Sequence, residues 1–305
     1  MQTELTPEHQ QRAVEVLRLR YWQHLMNEDL KQRRFSVPIH LAIGHEAIAV
    51  AVSTVMGPED QLVLTHRNIA YNLARTGALA PLYEEYQLAP SGLASGRLGS
   101  MNLVNPERGV IYSSSLLGNN IPVACGLALG KQIRGVAGQV ILLTGDGGME
   151  EGPFYEGLVF AKSHQLPLLI LVENNDYAMS SRIHERRCPI SLATLCQSVN
   201  IPFRSLSGND VFGYVEALRT IKAVGDHEAT PICVEAHLTT LNQHAGPTPG
   251  WPTDPKRISL EDGLIVEHTE RDPVFVVQQQ LGPERFTELA DQVMAESWSR
   301  ADRRR

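Results

Sequence analysis

QVILLTGDGGMEEGPFYEGLVFAKSHQLPLLILVENNDYAMSS, residues 139–181, is the stretch that decides the fold. Val140, Ile141, Leu142 and Leu143 form a short apolar run that stops at Thr144, Gly145, Asp146 and Gly147, the pattern of a buried parallel strand entering a tight turn. A helix is expected next. Pro153 suits a first helical turn, Glu150 and Glu151 suit the positive end of its dipole, and Phe154, Leu158 and Ala161 recur at helical spacing. Leu168 to Val172 is a second apolar run, ending at Glu173, Asn174 and Asn175. The unit reads as strand, helix, strand.

A right-handed crossover brings the ends of both strands to one edge of the sheet, so Asp146 and Asn175, 29 residues apart, approach each other where open α/β sheets bind ligands. A carboxylate and an amide oxygen are too few to cage a small octahedral cation. They suit one that keeps water and takes its other ligands from phosphates, which points to magnesium holding a diphosphate. The plainer reading is a βαβ unit with a glycine turn and a polar strand end.

The pairing of Gly145-Asp146-Gly147 with Glu173-Asn174-Asn175 resembles the diphosphate and magnesium motif of thiamine diphosphate enzymes. Tyr177 after it and Leu166-Pro167 before it resemble, more narrowly, the alpha subunit of two-chain 2-oxo acid dehydrogenase E1 components. The resemblance implies Asp146, the side chain of Asn175 and the backbone carbonyl of Tyr177 as metal ligands, with Gly145, Gly147 and Gly148 under the diphosphate. It also implies the thiamine diphosphate-binding fold: an α/β doubly wound parallel sheet with helices on both faces, here over residues 40–258, with helical extensions at 1–39 and 259–305.

Composition agrees with a globular protein: of 305 residues 43% are apolar and 20% charged. No apolar run has spanning length, and the first residues are too polar for a secretory signal, so neither membrane nor export is expected. A net charge of −7 disfavours nucleic acid, although Arg300, Arg303, Arg304 and Arg305 form a small basic tail. Cys125, Cys188, Cys196 and Cys233 show no CxxC spacing and read as reduced thiols, which suggests a cytoplasmic setting.

Along the chain, Val14, Leu17, Tyr21, Leu25 and Leu30 mark an amphipathic helix over about Pro7 to Arg33, with Tyr21 and Trp22 expected inside. Ala47 to Met56 reads as a buried helix and Gln61 to Leu64 as a strand. Gly44-His45-Glu46-Ala47 and His66-Arg67 resemble the family's GQEA helix start and its YR pair at the cofactor phosphates. His66 stands for the tyrosine, Ile69 for a histidine, and Arg67 becomes a candidate diphosphate ligand, since a guanidinium grips two phosphate oxygens. Alternatively Arg67 caps a strand or pairs with Glu84 or Glu85.

Residues 91–102, SGLASGRLGSMN, resemble the family's GRGGSMH loop with Leu98 for a glycine and Asn102 for the histidine; a plain linker is the other reading. Ser113 to Ser115 reads as a polar loop before an apolar helix, Ile121 to Ile133, and by the resemblance the backbone of Ser115, Leu116 and Leu117 meets the aminopyrimidine ring. Leu192 to Val199 and Val211 to Val224 read as helices, Phe203 to Leu206 and Thr230 to Ala236 as strands, and residues 272–298 as two helices divided by Gly282-Pro283. Leu238 to Ile258 holds four prolines and reads as a functional loop. In the family a histidine-rich loop here receives a lipoyl group; this sequence has Thr253-Asp254-Pro255 and, upstream, His244, which is either a polar active-site group or a solvated loop residue.

The resemblance implies an enzyme whose thiamine diphosphate and Mg2+ lie between this chain and a separate beta subunit supplying the activating glutamate, as an α2β2 assembly. His66 and His244 are the candidate catalytic groups. The expected reaction is decarboxylation of a 2-oxo acid, with a lipoyl carrier as possible acceptor. Two other readings stand beside it: half of a split transketolase-like or acyloin-forming carboligase using a ketose-like donor, suggested by Glu150-Glu151-Gly152, and a non-catalytic subunit that keeps the fold.

Overall fold

The computed structural model describes residues 6–245 and 258–301. Helix α1 (Pro7–Lys31) starts on Thr6, whose hydroxyl accepts from the His9 amide, and has Pro7 at its first position. After α2 (Glu46–Val55), β1 (Gln61–Thr65), α3 (Ile69–Thr76) and α4 (Ala80–Tyr86) come β2 (Val110–Ser114) and α5 (Asn120–Arg134). The quoted stretch folds as β3 (Val140–Gly145), α6 (Gly152–Ser163) and β4 (Leu168–Asn174). A small hairpin, β5 (Tyr177–Ala178) and β6 (Ser181–Arg182), leads into α7 (Ile183–Arg186) and α8 (Leu192–Ser198). Then follow β7 (Phe203–Leu206), α9 (Val211–Glu228), β8 (Ile232–His237), α10 (Pro273–Leu281) and α11 (Pro283–Ala301).

Six strands form one wholly parallel sheet in the order β2-β1-β3-β4-β8-β7, with β3 and β4 in register from Val140 opposite Leu168 to Gly145 opposite Glu173. Strand side chains alternate between two cores. Ile141, Leu143, Leu169 and Leu171 join α1, α2 and α9 on one face, while Val140, Leu142, Leu168, Ile170 and Val172 join α5, α6 and α8 on the other. A sheet buried on both faces needs apolar residues at every position. The unbroken runs of β3 and β4 supply them, and a doubly wound α/β fold results.

Several readings change in detail. Ser113 and Ser114 end strand β2, so the polar loop starts at Ser115. Helices α3 and α4, the β5–β6 hairpin and α7 have weak sequence signals and were not anticipated. Residues 91–102 form successive turns around the fully buried Glu85, whose carboxylate accepts from the amides of Ala94, Gly96, Leu98 and Gly99 at 2.8–3.1 Å. Glu85 is therefore the anchor of that loop and not a partner of Arg67. Of the 238–258 segment, residues 238–245 carry neither helix nor strand, while Thr253-Asp254-Pro255 and the tail arginines Arg303 to Arg305 lie outside the described residues.

Tyr21 and Trp22 are buried, 3% and 4% exposed. Beside them lies a buried ionic knot. Arg20 on α1 donates from Nε to Glu46 at 2.7 Å, from Nη2 to Asp272 at 2.9 Å and from Nη1 to the Leu264 carbonyl at 2.7 Å. Burial pulls the Arg20 pKa down, but Glu46 and Asp272 outweigh it and raise it. Cys125, Cys188, Cys196 and Cys233 are all free thiols, with Cys188 exposed. Among the described residues no helix is long and apolar enough to cross a membrane.

Candidate active site

The parallel strands β1, β3, β4 and β8 end at one edge, and a cleft of about 420 Å³ opens there. Asp146, just past β3, is 1% exposed. Its Oδ2 lies 2.6 Å from Arg186 Nη2, while its backbone N–H donates to the Glu173 carbonyl at 3.3 Å. Burial raises its pKa to about 6, with Arg186 the main opposing influence. Arg186 also reaches Glu150 at 3.0 Å, as Arg187 does at 3.1 Å, so an acidic and basic cluster stands over the turn. The turn itself is flush. A Cβ on Gly148 would collide with Thr144 Oγ1, and one on Gly147 would lie 2.8 Å from the Ala178 methyl.

Across from Asp146, Asn175 Oδ1 accepts from the Tyr177 amide at 3.1 Å and Nδ2 donates to Thr240 Oγ1 at 2.7 Å. Asp176 between them sits at φ +65°, in the left-handed region that aspartate tolerates. His45 continues the contacts: Nε2 lies 2.8 Å from Thr240 Oγ1 and Nδ1 3.2 Å from Glu173 Oε1, which also accepts from Tyr71 at 2.6 Å. This closeness depends on Gly44, at φ +103°, where a Cβ would strike the Thr239 carbonyl. The segment after β8 is held there by Leu241 N–H on Ile43 O at 2.8 Å.

The other end of the cleft carries His40, His66 and His244, whose ring nitrogens lie within 4.8 Å of one another. Burial lowers their pKa values to about 2, 3 and 4, so all three are neutral near pH 7. Arg67, 8% exposed, donates from Nη1 to Leu41 O and from Nη2 to His244 O at 2.9 Å, with His244 Nδ1 at 3.2 Å. Burial lowers the Arg67 pKa to about 10 against the pull of Glu173, which leaves it charged. A guanidinium can only donate, so His244 Nδ1 accepts and its proton sits on Nε2.

The cleft lining thus includes Asp146, Gly145, Gly147, Gly148, Asn175, Tyr177, His66, Arg67, Ser115, Leu117 and His244, all anticipated from sequence. Arg67 lines the cleft with its Nη1 on Leu41 O and its Nη2 on His244, which ties residue 41 to residue 244. Leu116 and Leu117 form a rim, 68% and 50% exposed, with Tyr177 and Met179 at 42% and 59%. Sequence reasoning missed His40, Arg186 and Thr240, and quoted His45 and Glu173 without giving them roles. Glu173 had a usable signal: a carboxylate at the end of an otherwise apolar buried strand demands partners.

The family model described as Dehydrogenase E1 component matches residues 14–250. The alpha subunit of acetoin:2,6-dichlorophenolindophenol oxidoreductase from Bacillus subtilis is 27% identical over 202 residues, 66% of this chain and 61% of that protein. The pyruvate dehydrogenase E1 component subunit alpha of Rhizobium meliloti is 26% identical over 249 residues, 79% of this chain and 68% of that one. The chain thus spans about three-fifths to two-thirds of the length of these relatives. Transketolase of Campylobacter jejuni shares the fold, with a TM-score of 0.59 at 16% identity over 92% of this chain and 48% of that one. On the match over residues 14–250 and these alpha-subunit relatives, the chain belongs to the dehydrogenase E1 component family.

Proposed function

We propose that this chain binds the Mg2+-diphosphate end of thiamine diphosphate and, with a separate beta subunit, decarboxylates a 2-oxo acid. The observation that carries the reading is the meeting of Asp146 and Asn175 at the ends of neighbouring strands, where both line one cleft. The residues fit the group. Two hard oxygens stand over a glycine turn whose backbone has no room for a side chain, with Arg186 and Arg187 alongside for phosphate oxygens. Asp146 and Asn175 Oδ1 would hold the cation, with the Tyr177 carbonyl as a third ligand, and Gly145, Gly147 and Gly148 would lie against the diphosphate.

When bound, the thiazolium ring supplies the carbanion that adds to a carbonyl and the electron sink that follows. The chain's own part is placement and hydrogen bonding. Neutral His66 and His244, the latter with its Nε2 proton fixed by Arg67, line the far end of the cleft as groups that orient a polar substrate without adding charge. Ser115 and Leu117 edge the opening. Exposed Leu116, Leu117, Tyr177 and Met179 support a partner subunit closing over it, in an α2β2 assembly that supplies the glutamate. Free thiols at Cys125, Cys196 and Cys233 support a reducing, cytoplasmic setting.

A carboligase role is the second reading. The histidine cluster agrees with both readings, since neutral donors suit a hydroxylated donor or acceptor as well as they suit a 2-oxo acid. A lipoyl carrier belongs to the first reading and not to the second.

Calorimetric titration of thiamine diphosphate with Mg2+ into the chain, alone and with its beta subunit, tests the proposal. Binding by the pair and its loss in Asp146→Ala, with the fold intact, is the expected result. Unchanged binding by Asp146→Ala would sink the metal assignment.

A further inference from the structure

We infer that Thr240, itself oriented by His45 and Glu173, is a positioning residue that fixes which atom of the Asn175 amide faces the cation; the inference rests on the metal role proposed for Asn175. An asparagine amide has an acceptor end and a donor end of nearly equal size, and one of them is useless as a ligand. Turned over, Asn175 would aim two N–H bonds at a cation. Something in the fold has to choose.

The choice can be followed atom by atom. The Tyr177 backbone N–H is a donor by necessity, so the Asn175 atom facing it at 3.1 Å is Oδ1. The atom 2.7 Å from Thr240 Oγ1 is then Nδ2, and the hydroxyl must accept from it. That leaves the Thr240 proton to be donated, and His45 Nε2 stands 2.8 Å away. His45 can accept there because its other nitrogen gives its proton to the Glu173 carboxylate, 3.2 Å from Nδ1 and itself held by Tyr71. Every link from Asn175 to Glu173 runs in one direction. The acceptor at the end, 7% exposed and fixed at the last turn of β4, sets the sense of the whole chain.

Oδ1 has two lone pairs, of which Tyr177 uses one, so the other remains for the cation. The hydroxyl of Thr240 touches no cation itself, and its contribution is orientation of a ligand by an outer partner.

The test uses Mg2+ titrated at fixed thiamine diphosphate, followed by calorimetry, on the chain with its partner subunit if the titration above requires one. Thr240→Val keeps the shape and removes both roles of the hydroxyl. It should raise the Mg2+ concentration for half-maximal binding about ten- to hundredfold, whereas Thr240→Ser should stay within about threefold of the parent. In an Asn175→Asp background there is no amide to orient, so Thr240→Val should cost less than about threefold there, a difference a general structural defect would not produce. Parent-like Mg2+ binding by Thr240→Val, or the same loss in both backgrounds, overturns the inference. Asp146→Ala separates the two failures: if it loses binding while Thr240→Val does not, only the positioning role falls, and if it too binds normally the metal reading falls with it.

Discussion

At the scale of residues, the displaced pKa of Asp146 bears directly on the site. It is raised from 3.8 to about 6 chiefly by burial, so in the metal role proposed above a proton would compete with the cation for this carboxylate just below neutrality. Cation affinity should be flat above about pH 6.5 and fall about tenfold per pH unit below about pH 6, a slope that titrations between pH 5 and pH 8 would show. The sign for stability is the reverse of that for an acid whose pKa is lowered on folding, because burial outweighs the Arg186 ion pair. The folded chain holds this proton to higher pH than the unfolded chain does, so ionising Asp146 costs stability between about pH 4 and pH 6 and the cost stays constant above. Asp146 and Asn175 were legible because their chemistry is announced by position, at the ends of two apolar runs. Arg186 and Thr240 were not, because Arg186 ends a one-turn helix too short to show a period and Thr240 lies in an irregular segment.

Elements show the same division. The strands β3 and β4 and the helices α5, α6 and α9 follow from apolar spacing, since a sheet covered on both faces leaves no other pattern for them. The glycine and serine loop over 91–102 could be seen as a loop, but not why it holds one shape. That shape belongs to Glu85, a residue of another element, whose carboxylate collects amides from Ala94 to Gly99. Glu85→Ala should therefore lower stability by about 3 kcal/mol, the scale of buried donors left without a charged acceptor, and raise hydrogen exchange at the Ala94, Gly96, Leu98 and Gly99 amides. Unchanged exchange there would show the loop to be held by its own turns.

For the molecule as a whole, the ionic knot ties the first helix to the last third of the chain. Arg20 on α1, Glu46 on α2 and Asp272 before α10 have no exposure at all. Arg20→Leu would leave two buried carboxylates facing each other without a cation and should cost about 3–5 kcal/mol, read as a lower denaturant midpoint. Paired replacement of all three by apolar residues should restore much of it, and the Arg20→Leu loss persisting unchanged in that triple variant would argue for a packing role instead.

The sheet order also carries a consequence in time. Strand β8 lies between β4 and β7 although it is made after both, and His244 and Thr240 follow β8. A chain leaving the ribosome has completed β3, β4, Asp146 and Asn175 long before their last neighbours exist, and at about 5–20 residues per second it waits several seconds for them. Throughout that interval β4 has an open edge and the Asn175 amide lacks the Thr240 hydroxyl that later takes its donor end. The nascent protein must therefore pass through a stage in which the glycine turn and its carboxylate are formed and the site is not, and a chaperone or a partner subunit arriving in that window meets an unpaired strand.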